Sequence, residues 1–326
     1  MRSEGGTVSE QPLVTIGLST YNRANGYLRE ALESALAQTY PNLEIVVSDN
    51  CSSDNTPQVV RSLADDRVRF YRQQENIGPN NNFNFVLQQA RGEYFLLLHD
   101  DDKIDPDFVA SCMEAAAGRD VALIRSGTRV IDADGNVLAS DPNHCGGMPA
   151  ADLFFTWFGR GTAFYLASTL YRTELLRKHG GFNSPKNLFQ DVVALAELAC
   201  RYERVDVVDV KASFRRHDDN KGSSDSALDW ATDSLFLLSR LEALLPEHAE
   251  ELRRRGLPYL CRKCYRNASA ISEPVERWKT YLQLFEKFEK SYSPVQFVLQ
   301  RSLNRAKDTA RTALKPAARA KQKQPA

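Results

Sequence analysis

The sequence lacks any apolar stretch long enough to span a bilayer, and its first residues do not have the pattern of a signal peptide. Its six cysteines show none of the spacings typical of a small disulfide-linked domain, which indicates a reducing compartment. These absences predict a cytoplasmic protein. Any contact with a membrane is expected to be peripheral, at its inner face.

Two further classes of site are poorly supported. Cys261 and Cys264 form one C-x-x-C pair, but no second pair and no H-x-x-x-H lies nearby, so a zinc site is not expected.

The formal net charge is zero, but it is unevenly distributed. Residues 301–326 hold eight Lys or Arg and one acidic residue, which leaves −7 on residues 1–300. An acidic body argues against nucleic acid as a partner.

Strand and helix patterns alternate regularly through the first part of the chain. The predicted strands are Leu13–Leu18, Leu43–Val47, Val68–Tyr71, Tyr94–Leu98 and Val121–Ile124. Such alternation indicates right-handed βαβ units and a parallel sheet, with ligands beyond the carboxyl ends of the strands. The predicted class is α/β, a mostly parallel sheet flanked by helices, with a helical extension from Ala227 onward.

The stretch Gly92–Asp102 combines a buried strand with a cluster of charges. An unbroken apolar run, Tyr94–Leu98, leads to three consecutive carboxylates, Asp100, Asp101 and Asp102. Adjacent like charges repel, and a divalent cation would remove that cost because oxygen ligands suit Mg²⁺ or Mn²⁺. The alternative is that the aspartates are solvated loop residues that cap the next helix.

Five motifs in this order resemble those of the family 2 glycosyltransferases. They are Val14–Arg23, Glu44–Thr56, Asn76–Gly78, Gly92–Asp102 and Gln190-Asp191, within roughly residues 12–220. The resemblance implies an inverting enzyme with the GT-A fold, a Rossmann-like fold that binds nucleotide sugars. It also implies residues that bind the nucleotide sugar: Thr20, Tyr21, Arg23, Asp49, Asn76, Asp100 and Arg216. In this reading Asp49 accepts a hydrogen bond from the base; otherwise it is a cap or turn residue.

The acidic run corresponds to the family's Asp-x-Asp metal motif, but its register is open. His99 or Asp100 could take the first position of the motif. Asp101 is the first choice for the direct ligand of Mn²⁺ or Mg²⁺, with Asp102 next to it and Asp100 on the ribose. His217 is the third candidate metal ligand; the alternative is an ordinary surface histidine.

The resemblance also implies a catalytic base. In the family, an aspartate at a helix start follows a Gly-Gly-Phe-like turn, and here Gly180–Phe182 leads to Asp191. Gln190 stands where the family usually has glutamate, which puts in doubt how the base is oriented. The alternative role for Asp191 is a helix cap. Arg215 and Arg216 lie where members of the family have a basic segment over the diphosphate.

The predicted function is transfer of a sugar from a nucleotide diphosphate sugar, with a UDP-sugar preferred, to a hydroxyl of a glycan or lipid-linked acceptor. Surface polysaccharide biosynthesis is the expected context. A sugar nucleotidyltransferase is one alternative, but it would carry a Gly-rich basic loop where Ser19–Arg23 stands. An inactive binding module is another, but it would have lost Asp191 or the acidic run.

The predicted organisation has four parts. These are a disordered N-terminus at 1–11, a GT-A domain at 12–222, a helical extension at 223–303 and a basic tail at 304–326. The GT-A domain divides into a nucleotide-binding half at 12–125 and an acceptor half at 126–222. Four aromatics could stack on a sugar or belong to the core or a dimer contact: Phe154, Phe155, Trp157 and Phe158. The C-terminal helices could lie on a membrane, pack on the catalytic domain or form a homodimer.

Overall fold

The computed structural model describes residues 11–24, 26–63, 65–117, 119–217, 226–304 and 306. The predicted disordered N-terminus, except residue 11, and most of the predicted basic tail lie outside the described residues. The boundary predicted between the GT-A domain and the helical extension, at residue 222, also lies outside them.

A nine-stranded mixed sheet forms the centre of the molecule, in the order β3-β2-β1-β4-β8-β6-β9-β5, with β7 paired to β6. The strands are β1 Val14–Thr20, β2 Leu43–Asp49, β3 Val68–Arg72, β4 Tyr94–His99, β5 Lys103–Ile104, β6 Leu123–Ile131, β7 Val137–Asp141, β8 Thr169–Arg172 and β9 Arg204–Arg215. Strands β3, β2, β1 and β4 are parallel to one another, as predicted. Their carboxyl ends therefore lie along one edge.

The other half of the sheet is mixed. Strand β8 runs antiparallel between β4 and β6, whereas β6 and β9 are parallel. The turn at Asp132–Asn136 joins β6 to β7 as a hairpin. The strand predicted at Val121–Ile124 extends further than expected, because β6 and β9 stay paired as far as Ile131 and Arg215. This pairing brings the end of β9 back to the acidic end of β4.

Helices cover both faces of the sheet. They are α1 Tyr27–Leu36, α2 Thr56–Ser62, α3 Pro79–Gln89, α4 Phe108–Ala115, α5 Ala150–Phe158, α6 Thr173–Lys178, α7 Gln190–Ala199, α8 Ala227–Leu244, α9 Ala249–Ala268 and α10 Pro274–Lys287. Alternate β-strand residues enter opposite core clusters, with Ile16 on the α1 and α4 face and Phe95 on the other. The core cluster that contains Phe95 also includes residues of α8, α9 and α10.

Close packing fixes the path of the first strand. Gly17 lies in β1 where an added Cβ would approach Val86 Cγ1 of α3 to 2.4 Å and the Phe95 ring to 2.7 Å. Helix α3 can therefore lie directly on the strand. This places the loop before α3 beside the carboxyl ends of β1 and β2.

The aromatic helix α5 is largely part of the core. Phe154, Trp157 and Phe158 are buried, and the Trp157 ring lies 5.1 Å from the Tyr259 ring of α9. Phe155 is half-buried, with the Arg255 guanidinium 4.8 Å from its ring centre. Of the two roles considered for these aromatics, the structure favours the core. Among the helices that the structure describes, none is sufficiently long and apolar to cross a membrane.

Candidate functional site

The loops after β1 and β2 are joined by hydrogen bonds. The backbone N–H groups of Asn22 and Arg23 donate to Ser52 Oγ at 2.8 Å and Thr56 Oγ1 at 3.0 Å. Asn22, at φ 53°, accepts from Ser53 N through Oδ1 at 2.8 Å. The short polar side chains of these loops thus hold one wall of a cleft. Tyr21 stays 45% exposed at its rim.

Asp49 ends β2 and is fully buried. Its Oδ1 accepts from Ser52 N at 3.0 Å, whereas its Oδ2 lies 3.4 Å from Arg72 Nε. Within the described residues, that Oδ2 accepts no hydrogen bond. The turn role considered for Asp49 therefore uses one carboxylate oxygen, and the second is left to accept from a ligand.

Asn76 orders the loop that leads to α3. Its Oδ1 accepts from Asn50 Nδ2 at 2.8 Å and from Gly78 N at 2.9 Å. Asn50 in turn accepts from Ile77 N through Oδ1 at 2.9 Å. Asn76 is thus tied to the residue after Asp49. The Asn76 side-chain oxygen already accepts two hydrogen bonds within the loop, so a contact with a nucleotide would be an additional role.

The three aspartates after β4 lie close together but have different surroundings. Asp100 faces the β1 loop, with Arg23 Nε 3.8 Å from its Oδ1. Burial and then the charge of Asp101 raise the pKa of Asp100 to about 7. Burial, again with the charge of Asp101, raises the pKa of Asp102 well above its usual value. Three carboxylates are thus held together at an electrostatic cost that a cation would offset.

A set of ligand atoms within this group suits a divalent cation. In the described part of the chain, His99, Asp101 and Asp102 each offer a ligand atom, all within 4.8 Å of one another. Ligand atoms on opposite sides of a bound Mg²⁺ are about 4 Å apart, so these atoms need to approach one another only slightly to hold the ion. His99 Nε2 is also buried without a hydrogen-bond partner among the described residues. The residues present therefore fit Mg²⁺ or Mn²⁺.

The end of β9 lies over the acidic group. His217 Nε2 lies 2.9 Å from Asp101 Oδ2, and the His217 side chain is only 4% exposed. The alternative of an ordinary surface histidine is therefore wrong. His217 lies outside the group of three above but contacts one member of it. Arg216 is exposed, so its side chain can reach a ligand.

Arg215 has a different position from Arg216. Its side chain is 1% exposed, and its Nε and Nη1 donate to Asp101 O at 2.9 Å and Ala133 O at 3.0 Å. Its Nη2 donates to Glu30 Oε2 at 2.7 Å, and its backbone N–H donates to Asp102 Oδ1 at 2.9 Å. Arg215 thus fixes the acidic loop, which leaves Arg216 as the candidate for the diphosphate.

Asp191 lies in the first turn of α7, behind the turn at Gly180 and Gly181. Both glycines have positive φ, at 91° and 67°, and a Cβ on Gly181 would lie 2.3 Å from Asn84 Oδ1. That amide of α3 exchanges two 2.9 Å hydrogen bonds with the backbone of Phe182. The turn that precedes α7 is therefore attached to α3, which packs on β1.

Burial raises the pKa of Asp191, and the charges of Lys263 and His99 act in the opposite direction. Val192 N donates to Asp191 Oδ1 at 2.8 Å, which is the cap-like contact considered above. Asp191 is thus within electrostatic range of His99, a member of the acidic group. A partly buried carboxylate with a raised pKa is a stronger proton acceptor than an exposed one.

Sequence reasoning missed a buried carboxylate that supports this helix. Asp233 of α8 accepts from Ser184 Oγ at 2.5 Å and from three backbone N–H groups. The N–H distances are 2.7 Å for Lys186 and Leu188 and 3.3 Å for Phe189. The loop before α7 is therefore ordered from the C-terminal helices. The only signal was an aspartate at an inward position of α8.

Comparisons with known proteins agree with this geometry. The sequence model described as "Glycosyl transferase family 2" matches residues 15–180, about half of the chain. The succinoglycan biosynthesis protein ExoO of Rhizobium meliloti (strain 1021) is 35% identical over 131 residues, 40% of this chain and 37% of that protein. The GalNAc(5)-diNAcBac-PP-undecaprenol beta-1,3-glucosyltransferase of Campylobacter jejuni is 38% identical over 108 residues, 32% and 35% of the two chains. These matches span little more than a third of the relatives' length.

Solved structures show the same fold. TarS residues 1–349 of S. aureus, in complex with UDP-GlcNAc, superimposes with a TM-score of 0.68 at 17% identity, over 86% of this chain and 81% of that one. The mannosyltransferase PcManGT of Pyrobaculum calidifontis, in complex with GDP-Man and Mn²⁺, gives a TM-score of 0.55 at 19% identity. The latter match covers 86% of this chain and 87% of that one.

The hydrogen bonds of Asp233 predict a large effect on stability. In Asp233→Ala, three backbone donors lose a buried acceptor, so the free energy of unfolding should fall by roughly 2–4 kcal/mol in a urea titration. Asp229→Ala, on the same helix, is the matched control. It removes only a half-exposed ion pair to Lys186 and should cost less than about 1 kcal/mol. Equal losses in the two variants would contradict the role given to Asp233.

Proposed function

The chain belongs to glycosyl transferase family 2, and on that premise we propose that it transfers a sugar from a nucleotide diphosphate sugar to an acceptor hydroxyl, with inversion at the anomeric carbon. One observation carries the proposal. A half-buried carboxylate, Asp191, lies within electrostatic range of a separate acidic group at the carboxyl ends of parallel strands. Inverting transfer needs one carboxylate left free as a base and another group neutralised by a cation.

In the proposed reaction, Asp191 accepts the proton of the acceptor hydroxyl as that oxygen attacks the anomeric carbon. The leaving group is the nucleoside diphosphate, and its bond to the sugar breaks in the same step. Burial raises the pKa of Asp191, which increases its proton affinity during the attack. The half-buried position also limits the access of bulk water to the reacting centre.

The donor is proposed to lie across the carboxyl ends of β1, β2 and β4. Asp49 Oδ2 would accept from the base, with Thr20, Tyr21 and Arg23 around the nucleoside. Asn76 would lie at the edge of this site, and Asp100 would contact the ribose. UDP is the preferred nucleotide; the TarS complex with UDP-GlcNAc supports this choice, and the PcManGT complex with GDP-Man leaves GDP as the alternative.

A divalent cation is proposed at His99, Asp101 and Asp102, where it would supply positive charge to the diphosphate as that group leaves. His217 orients Asp101 through the 2.9 Å contact and remains a candidate ligand. The exposed Arg216 would contact the diphosphate from the opposite side. The buried Arg215 is not proposed as a diphosphate ligand, because its donors already serve the acidic loop.

The acceptor is proposed to be a glycan or a lipid-linked glycan of surface polysaccharide. Two relatives support this class, because one is a succinoglycan biosynthesis protein and the other is a glucosyltransferase named for an undecaprenol-linked glycan. A lipid-linked acceptor would require the site to work at a membrane surface.

The C-terminal helices offer a surface that suits a membrane. Among the described residues, seven of the eleven exposed large hydrophobic side chains lie between positions 275 and 303. They are Val275, Trp278, Leu282, Val295, Val298, Leu299 and Leu303. The segment 301–326 that ends this region carries +7. We therefore propose that this apolar surface lies on an anionic membrane at its inner face, where apolar and basic groups act together.

The metal assignment predicts the effect of Asp101→Ala. Loss of the ligand should remove Mn²⁺-dependent UDP binding in isothermal calorimetry while the thermal unfolding curve keeps its cooperative shape. Asp107→Ala is the matched control, because that aspartate is half exposed and pairs with Lys211 instead. Unchanged UDP affinity for Asp101→Ala in Mn²⁺ would contradict the assignment.

The assignment of the base predicts the effect of Asp191→Asn. This variant should bind UDP and Mn²⁺ like the wild type but lower kcat by about 10²–10⁴-fold, since only the proton acceptor is lost. Release of UDP from UDP-sugars in a coupled assay measures this, first with water and then with candidate glycans as acceptors. A near-normal kcat would return Asp191 to the role of a helix cap.

The membrane proposal predicts weaker binding to vesicles in Val298→Glu/Leu299→Glu. In co-sedimentation with phosphatidylglycerol vesicles at low salt, this double variant should remain in the supernatant while the wild type pellets. Val137→Glu/Leu138→Glu is the matched control, since both residues of that pair are also exposed, on the β6–β7 hairpin. A wild type that stays in the supernatant would contradict the proposal, and a monomer–dimer shift in the double variant would favour a contact between two chains instead.

A further inference from the structure

Four basic residues lie around α9. They are Arg160, which follows α5, and Arg262, Lys263 and Arg266 in the second half of α9. Within the described residues, none of the four forms an ion pair, and Arg262 Nε is buried without a hydrogen-bond partner. By contrast, in the first half of α9 three arginines pair with glutamates: Arg253, Arg254 and Arg255. The unpaired charges are thus concentrated at one end of the helix.

These four cations are close enough to act on one another. Desolvation lowers the pKa of Arg266, and the charges of Arg160 and Arg262 lower it further. Residues 259, 262, 263 and 266 share one side of a helix. Tyr259 is within electrostatic range of the three arginines. Arg160 and Arg266 are exposed, so water screens part of the repulsion between these like charges, and a bound anion would offset the rest.

Lys263 connects this group to the proposed base. Its Nζ lies 4.3 Å from the ring centre of Phe189 and 5.1 Å from that of Trp230. Phe189 is two residues before Asp191, and the Lys263 and Asp191 charges interact. Burial lowers the pKa of Lys263 to about 8. An ammonium group is therefore held against aromatic rings, beside the carboxylate that would deprotonate the acceptor.

A purely structural role explains this lysine poorly. The rings of Phe189 and Trp230 would be covered equally well by an uncharged side chain such as methionine, without desolvation of a charge. The donor side of the site already has its own positive group in Arg216 and its own proposed cation. The four basic residues lie instead on α9 and just after α5, and Lys263 reaches the start of α7 through its contact with Phe189.

We propose that the acceptor carries a negatively charged group, phosphate or carboxylate, and that Lys263 and Arg266 bind this group next to the hydroxyl that Asp191 deprotonates. Arg160 and Arg262 would extend the positive surface along the acceptor. This inference rests on the proposed function, because it takes Asp191 as the base. It makes Lys263 a residue that determines acceptor specificity.

The test uses the full chain with saturating UDP and Mn²⁺, so that the donor site cannot take the probe. Methyl phosphate, methyl β-glucuronide and methyl β-glucoside are titrated and binding is measured by calorimetry. The rings of Trp230 and Trp157 near Lys263 and Phe189 provide a second, fluorescence signal. The two anions should bind and the neutral glucoside should not. Tighter binding of methyl phosphate assigns a phosphate-bearing acceptor, and tighter binding of the glucuronide assigns an acidic sugar.

Variants locate the binding. Lys263→Met should weaken the preferred anion about tenfold or more, because a charged hydrogen-bond partner is lost, and Lys263→Arg should restore most of the affinity. Arg254→Gln is the matched control on the same helix, since it removes one positive charge that is already paired with Glu251. UDP affinity should not change in any of the three variants, which also checks that each variant is folded.

Three outcomes would overturn the proposal. These are equal binding of anionic and neutral probes to the wild type, unchanged anion affinity in Lys263→Met, and weaker UDP binding in that variant, which would place Lys263 at the donor. Failure of the proposed function itself looks different, because the wild type would then not bind UDP with Mn²⁺ at all.

Discussion

The buried guanidinium of Arg215 holds the acidic end of β4 in the position that the rest of the site depends on. It donates hydrogen bonds to the carbonyl oxygens of Asp101 and of Ala133 in the β6–β7 turn, and to the carboxylate of Glu30 in α1. Its Cζ atom lies 4.6 Å from the ring centre of Tyr27. Without these contacts, neighbouring carboxylates would move apart, because their charges repel. The long pairing of β9 with β6 brings Arg215, Arg216 and His217 to this point.

A second constraint comes from the C-terminal helices. Asp233 of α8 orders the loop before α7, and α9 brings Lys263 to the same place. The apolar core is continuous from Phe95 of the central sheet to Leu284 of α10. The helices at 226–304 therefore share one apolar core with the central sheet. We propose that a chain shortened before α8 would lose the order of the loop that leads to Asp191.

The features that could be predicted from the sequence are those that depend on a local pattern of residues. Strands β1, β2 and β4 are apolar runs bounded by polar loops, so their positions and the cleft at their carboxyl ends could be predicted. The direction of β8 could not, because a strand of four residues has the same pattern whichever way it runs. Arg215 and Arg216 could not be distinguished either, since neighbours on a strand point to opposite faces and only the packing decides which face is buried. Asp233 and Lys263 depend on contacts between distant parts of the chain, which no spacing of residues reports.

The packing of α10 on α9 has a consequence for the reach of the site. The Tyr281 ring of α10 lies 5.2 Å from the Tyr265 ring of α9, and Leu284 and Phe288 are fully buried beside them. The exposed apolar side of α10 and the ammonium of Lys263 are thus parts of one rigid pair of helices. If that apolar side rests on a bilayer, the height of Asp191 above the lipid is set by helix packing and cannot adjust. The two helices would then fix the distance between Asp191 and the membrane. A glycan would be extended only when its growing end lies at that distance from the lipid.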